Sequence, residues 1–438
     1  MSVSPQRRGE ILDALRRGTV PQRSLDALAV GLDRFERAFD EELAGVQRGG
    51  AAFKAVRGEY GSGKTFFARW MQERALAKGF AAAEVQVSET ETPLHRLETV
   101  YRRLIERLRT SDTPAGAWQS IVEGWFFTLE QDVLAEGGID ENDTAGLNAR
   151  VTDLMERRLA AITRTAPSFA AALRAYRQAA VAGESGIASG LLAWLGGQPN
   201  VGAEVKRRAM IKGDVDHFGA LSFLQGLLVM LRDSGRPGLV FVLDEVETLQ
   251  RVRGDVREKS LNALRQLIDE IDSGRFPGLY VVITGTAAFY DGPQGVQRLP
   301  PLAQRLHVDF GGEARFDNPR APQVRLPGFD LGLLAQVGRK VRDLFADGCP
   351  SAERIRQKVD DRCLDRLAAT VTGQLGGKVG VAPRIFLKKL LVEILDKVDQ
   401  FEDFDPVVNA KLDLSESELT ATERAARGAA DPDDIELT

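Results

Sequence analysis

Residues 57–70 read "RGEYGSGKTFFARW". Gly58, Gly61 and Gly63 precede Lys64 and Thr65, and an aromatic-rich stretch of helical pattern follows. Gly58 through Thr65 fits G-x-x-x-x-G-K-[ST] without a mismatch. Glycines admit positive φ angles and let the backbone wrap closely around a phosphate. The amides of such a loop point inward as an anion nest, and the start of the next helix adds its positive end. Gly58, Glu59, Tyr60, Gly61, Ser62, Gly63, Lys64, Thr65 and Phe66 are therefore the candidate nucleotide cradle. Lys64 is expected to reach the β- and γ-phosphates of a bound nucleotide, and Thr65 to place its hydroxyl on Mg²⁺. The rival reading is a chance glycine turn, and the strand before and helix after the loop argue against it.

Outward from the loop, "FKAVRG" reads as a buried strand ending at Gly58, and the helix from Lys64 closes at Gly79. "AAAEVQVSE" is a second strand, followed by the periodic helix "TPLHRLETVYRRLIERLRT". Residues 111–214 are alanine-rich, carry Trp118, Trp125 and Trp194, and show no strand-like run. They are expected to form a helical insertion. At "GLVFVLDEVETL" a continuous apolar strand reappears, as for a strand covered on both faces. A charged helix and the strand "GLYVVITGT" follow. Strands alternating with helices predict an α/β fold: a P-loop core with a parallel sheet, a helical insertion and a C-terminal helical lid with room for a winged helix. The expected division is 1–45, N-terminal helices near the nucleotide; 46–110 and 215–312, the core; 111–214, the insertion; 313–400, the lid; 401–438, an acidic, flexible tail. From Lys411 onward that tail holds eight acidic and three basic residues.

Three further pieces fit the same chemistry. Asp244 and Glu245 end an apolar strand. Asp244 is expected at Mg²⁺, and Glu245 as the general base on the attacking water. Alone, such a pair is more often a helix cap or surface ion pair; beside a phosphate loop it gains weight. In "VVITGTAA", Thr284 and Thr286 could sense the γ-phosphate, Thr286 being better placed by spacing. Arg305 lies where an arginine finger offered to a neighbouring subunit would sit, and Arg384 starts a late helix where a second sensor would sit.

Composition narrows the class. The chain has 438 residues, 43% hydrophobic and 28% charged, with a net charge of -5. This balance gives no overall pull toward nucleic acid or anionic membrane. Two cysteines, Cys349 and Cys363, and three scattered histidines argue against a disulfide framework or a His-based metal centre. Without a signal-type segment or a run of about 18 apolar residues, a cytoplasmic protein with no membrane contact is expected. Two basic clusters, Lys206, Arg207, Arg208 and Lys212, and Arg251, Arg253, Arg257 and Lys259, leave contact with DNA open. Solvated helix faces are the more ordinary reading of both.

In chain order these pieces resemble an AAA+ or closely related P-loop ATPase of the initiator-like branch, over about residues 15–400. More narrowly, "ALRRGTVP", "GEYGSGKTFFARW", "VSETETPLHRLETVYRRL", "GLVFVLDEVETL" and "APRIFLKKL" resemble the ATP-binding proteins of bacterial BREX phage-defence loci, of the BrxD type. The resemblance implies a cytoplasmic ATPase, commonly oligomeric, acting with other defence components and often with a large helicase. It also places "GTVP" near the adenine. Threonine at the sensor position departs from the more usual asparagine. Two other classes compete: an ATP-stabilised scaffold with little turnover, and a nucleotide kinase. Both acids being present weighs against the first; the "LVFVLDE" strand and the long C-terminal helical region weigh against the second.

Overall fold

A computed structural model describes residues 3–138, 143–375, 383–419 and 423–424. Its centre is a parallel sheet of β1 (Ala52–Arg57), β2 (Ala81–Gln86), β3 (Leu239–Asp244), β4 (Leu279–Gly285) and β5 (Gln323–Arg325), in the order β2-β3-β4-β1-β5. Every residue of β3 and β4 is buried. Parallel strands need cover on both faces, which is why these two read as unbroken apolar runs. The strand alternation sends Val240 and Val242 to one face, and Leu239, Phe241 and Leu243 to the other.

The first face packs on α2 (Asp33–Gln47) and α3 (Lys64–Ala77) through Phe35, Phe39, Phe67 and Trp70. The opposite face packs on α4 (Leu97–Glu106), α11 (His217–Asp233) and α12 (Gly254–Asp272). Between α4 and α11 run α5 (Trp118–Ala135), α6 (Thr144–Arg158), α7 (Ala160–Thr165), α8 (Pro167–Val181), α9 (Ser185–Leu195) and α10 (Ala203–Arg208). The segment read as an insertion is thus helical, and its apolar side chains are continuous with the core of that face. Phe223 of α11 has its ring 4.9 Å from Phe169 of α8 and 5.4 Å from Trp194 of α9. A Cβ on Gly226 would lie 2.4 Å from the Phe169 ring. Gly226→Ala is therefore expected to destabilise the protein by about 1–3 kcal/mol through overpacking, read as a lower midpoint in thermal unfolding.

After β4 come α13 (Ala287–Asp291) and α14 (Pro300–Leu306), and beyond β5 the described residues are helical and loop: α15 (Leu331–Ala346), α16 (Ala352–Lys358), α17 (Asp361–Gln374) and α18 (Pro383–Lys389). No strand occurs among the described residues after Arg325, so they contain no wing of a winged helix. Residues 376–382 lie outside the described residues.

Segments near both ends of the described chain pack in the C-terminal helical bundle. The N-terminal helices do not form one unit: α2 packs on the sheet, whereas α1 (Pro5–Arg16) buries Ile11, Leu12 and Leu15 in the C-terminal helical bundle. An amphipathic helix goes where an apolar face is unfilled, whatever its neighbours in sequence. The start of the acidic stretch is also held. Leu414 and Leu419 are buried in the same bundle, Gln374 bonds the backbone at Leu412 and Leu414, and Lys389 pairs with Glu418 at 2.9 Å. Of the expected tail, residues 420–422 and 425–438 lie outside the described residues. The architecture is compatible with a P-loop core.

Candidate functional site

Parallel register lines up the carboxyl ends of the strands: Arg57 beside Gly285, and Gln86 beside Asp244. In open α/β sheets ligands bind off this edge. Here a cavity of about 360 Å³ lies between the sheet edge and the C-terminal bundle. It is walled on one side by residues 60–67 and on the other by Phe329, Leu333 and Leu387. Thr19, Val20 and Pro21, the segment crossing from α1 toward α2, also line it.

The loop between β1 and α3 turns through Gly61 at φ 81° and Gly63 at φ 86°. Side chains there would be strained, and glycine is not. Lys64 opens α3 directly after Gly63. Its Nζ donates to the carbonyls of Gly58 at 2.9 Å and Glu59 at 3.3 Å. It also sits over the Tyr60 ring and 3.7 Å from Glu247 Oε1. Phe66 packs against both the sheet-side and the C-terminal cores, while the Glu59 side chain is exposed. The Ser62 hydroxyl is buried without a hydrogen-bond partner among the described residues.

Thr65 and Asp244, 179 positions apart, meet: Thr65 Oγ1 donates to Asp244 Oδ2 at 2.9 Å. Thr284 donates to the other carboxylate oxygen, Oδ1, and accepts from the Glu245 amide at 3.2 Å. Burial pushes the Asp244 carboxyl above the usual carboxylate range, against the hydrogen bonds from Thr284 and Thr65. These hard oxygens suit a small divalent cation such as Mg²⁺. Glu245 is held in the left-handed region at φ 59°, a costly conformation for a residue with a side chain. Its carboxylate is exposed toward the cavity and accepts from Gln86 Nε2 at 2.7 Å.

The two threonines at the end of β4 have different partners. Thr286 is buried and caps α13, accepting from the Phe289 amide at 3.4 Å, whereas Thr284 touches Asp244. Arg384 lines the cavity, but its guanidinium is taken up by Glu423 and by the Glu418 carbonyl at 2.7 Å. Arg305 is not at the cavity of its own chain; it pairs with Asp269 at 2.6 Å and donates to the Pro301 carbonyl. Members of the basic clusters are paired within the chain: Lys206 with Asp214, Arg208 with Glu184, and Arg257 with the carbonyls of Leu249, Gln250 and Val252.

Sequence reasoning missed Gln86 and Glu247. Gln86 ends β2 in register with Asp244, so the strand reading of "AAAEVQVSE" already carried the signal. Glu247 is the one polar residue in "VETL" to be buried, at 6% exposure, and burial raises its carboxyl pKa against the pull of Lys64. Only the 3₁₀ turn at Val246–Gln250, which swings it back to the loop, reveals it.

No helix of the described residues is long and apolar enough to cross a membrane. None of the curated proteins matches the sequence. The family of BREX system ATP-binding proteins BrxC/D matches residues 3–413, nearly the whole chain, and the chain belongs to that family of ATP-binding phage-defence components.

Proposed function

We propose that the protein hydrolyses ATP and uses the cycle as a molecular switch. The observation that carries this reading is the meeting of Thr65 with Asp244 beside Glu245, at the mouth of a glycine loop that ends on Lys64. ATP phosphates would lie in the loop amides and at the start of α3, with Lys64 between the β- and γ-groups. Thr65 and Asp244 would hold Mg²⁺, which would neutralise charge on those phosphates. Glu245 would take a proton from the attacking water. Thr284 orients Asp244 and Glu245 together. Arg384 from the C-terminal bundle could reach the phosphates only by exchanging Glu423 for them, and Arg305 could reach a neighbouring subunit only by leaving Asp269.

The setting we infer is a homo-oligomer in the cytoplasm, acting with DNA or with a helicase or other defence component. Titrating the purified protein with Mg-ATP in a calorimeter and following phosphate release tests the core of the reading. Binding without release would leave a nucleotide-held scaffold.

Gln86 gives a finer test. Its amide occupies an oxygen of Glu245 that would otherwise be free to accept from the attacking water, so that this hydrogen bond must be given up first. A hydrogen bond contributes about 0.5–1.5 kcal/mol net, so Gln86→Ala is expected to raise basal ATP turnover about two- to tenfold with unchanged Kd. A fall in turnover would mean that Gln86 aims Glu245 rather than restraining it.

A further inference from the structure

Glu247 has no part in the chemistry just proposed. It neither holds the metal site nor faces the water, yet it is buried against the phosphate loop. A buried carboxylate is costly unless something compensates it. Oε1 has Lys64 Nζ at 3.7 Å, and Oε2 is buried with no hydrogen-bond partner among the described residues. Lys64 in turn has three hydrogens. Two are given to the loop's own carbonyls at Gly58 and Glu59, and the ammonium leans toward Glu247 and the Tyr60 ring. These contacts and a nucleotide phosphate make competing claims on the same three hydrogens. The competition is between like groups, since a carboxylate and a phosphate are both anionic oxygen acceptors.

We infer that Glu247 is a positioning residue that competes with the phosphates for Lys64 and so sets the affinity for ATP and ADP. This rests on the reading that the loop binds ATP. The consequence is that the protein binds nucleotide more weakly than its loop would allow. Release of ADP is then assisted, because Glu247 recovers Lys64 as the phosphates leave. The same argument predicts selectivity by chemistry: ligands that carry phosphates meet the competition, and a ligand without them does not.

The test is Glu247→Gln, which keeps shape and removes charge. Kd values for Mg-ATP, Mg-ADP and adenosine are measured by calorimetry on parent and variant. The expected result is ATP and ADP bound about tenfold more tightly, a shift of about 1.4 kcal/mol, with adenosine unchanged. Steady-state kinetics should show KM for ATP falling while kcat does not rise. Unchanged or weaker ATP binding with adenosine unaltered would overturn the inference. An equal shift for ATP and adenosine would also overturn it, since that marks a merely structural effect. Should the glutamine variant not fold, Glu247→Asp draws the carboxylate back by one methylene and should shift ATP the same way; a Kd at or above the parent value overturns the idea. If the parent itself takes up no ATP, the proposed function fails and this inference falls with it, whereas a binding parent with an unshifted variant defeats the inference alone.

Discussion

Glu245→Gln is expected to lower ATP turnover about 100-fold or more while leaving ATP bound. The magnitude is the usual contribution of a positioned general base, about 10²–10⁴. The separation of turnover from binding follows from where the side chain lies. The loop that would grip phosphates is made by residues 58–65, and none of its hydrogen bonds runs to the Glu245 carboxylate. That carboxylate's one described side-chain partner is Gln86. Glutamine can keep an acceptor oxygen for Gln86 but cannot take a proton from water. The backbone cost at φ 59° is the same for both residues, so the fold should not register the change. The measurements are phosphate release and calorimetric Kd on the same preparation. Parent-like release would remove Glu245 from the chemistry, and loss of binding would mean that it holds the nucleotide instead.

The parts of this site that could be read from the sequence are those whose chemistry is local. Gly61, Gly63, Lys64 and Thr65 are contiguous, and their conformational needs are written in residue type. Asp244 could be read because a fully buried strand that stops on a charge must aim that charge off the sheet edge. Thr284 against Thr286 shows the limit. Spacing placed both at a strand end, but one residue decides whether a side chain belongs to the strand or to the cap of the next helix, and Thr286 became the cap. Glu247, Gln86 and the Glu423–Arg384 pair depend on packing between segments far apart in the chain. The destination of α1 was hidden for the same reason: its apolar stripe says that it needs a partner, not which one.

That destination matters for the site. Because α1 sits with the C-terminal bundle while α2 sits on the sheet, the connection at Thr19–Pro21 spans the two bodies that enclose the cavity. A ligand gripping both walls would change the relation between them, which is what a switch requires. Arg384 lies on the bundle side of that cavity with its charge met by Glu423, so under the proposed function nucleotide and the C-terminal segment would compete for it, as nucleotide and Glu247 would for Lys64.

Lys64→Met should produce the second large effect, and it should appear in two measurements of opposite origin. ATP affinity is expected to fall about 100-fold or more, because two charge-assisted hydrogen bonds to phosphate are each worth about 1.5–3 kcal/mol. The same change should destabilise the protein before any nucleotide is added. Lys64 is the cation closest to the buried Glu247 carboxylate, and removing one partner of a buried pair leaves the other uncompensated. Since burial already raises the Glu247 carboxyl, taking up a proton relieves part of the cost, and a loss of about 1–3 kcal/mol is the reasonable scale. The sign with pH follows. A carboxyl raised in the folded state binds protons more readily there than when unfolded, so the deficit of Lys64→Met should be largest near neutral pH and shrink as pH falls. The double variant Lys64→Met, Glu247→Gln separates the two effects. It removes the buried charge along with its partner, so thermal stability should return toward the parent while ATP affinity stays lost. If stability does not return, the Lys64–Glu247 attraction is not what holds this corner of the fold. If affinity returns with it, the loop grips phosphate without its lysine.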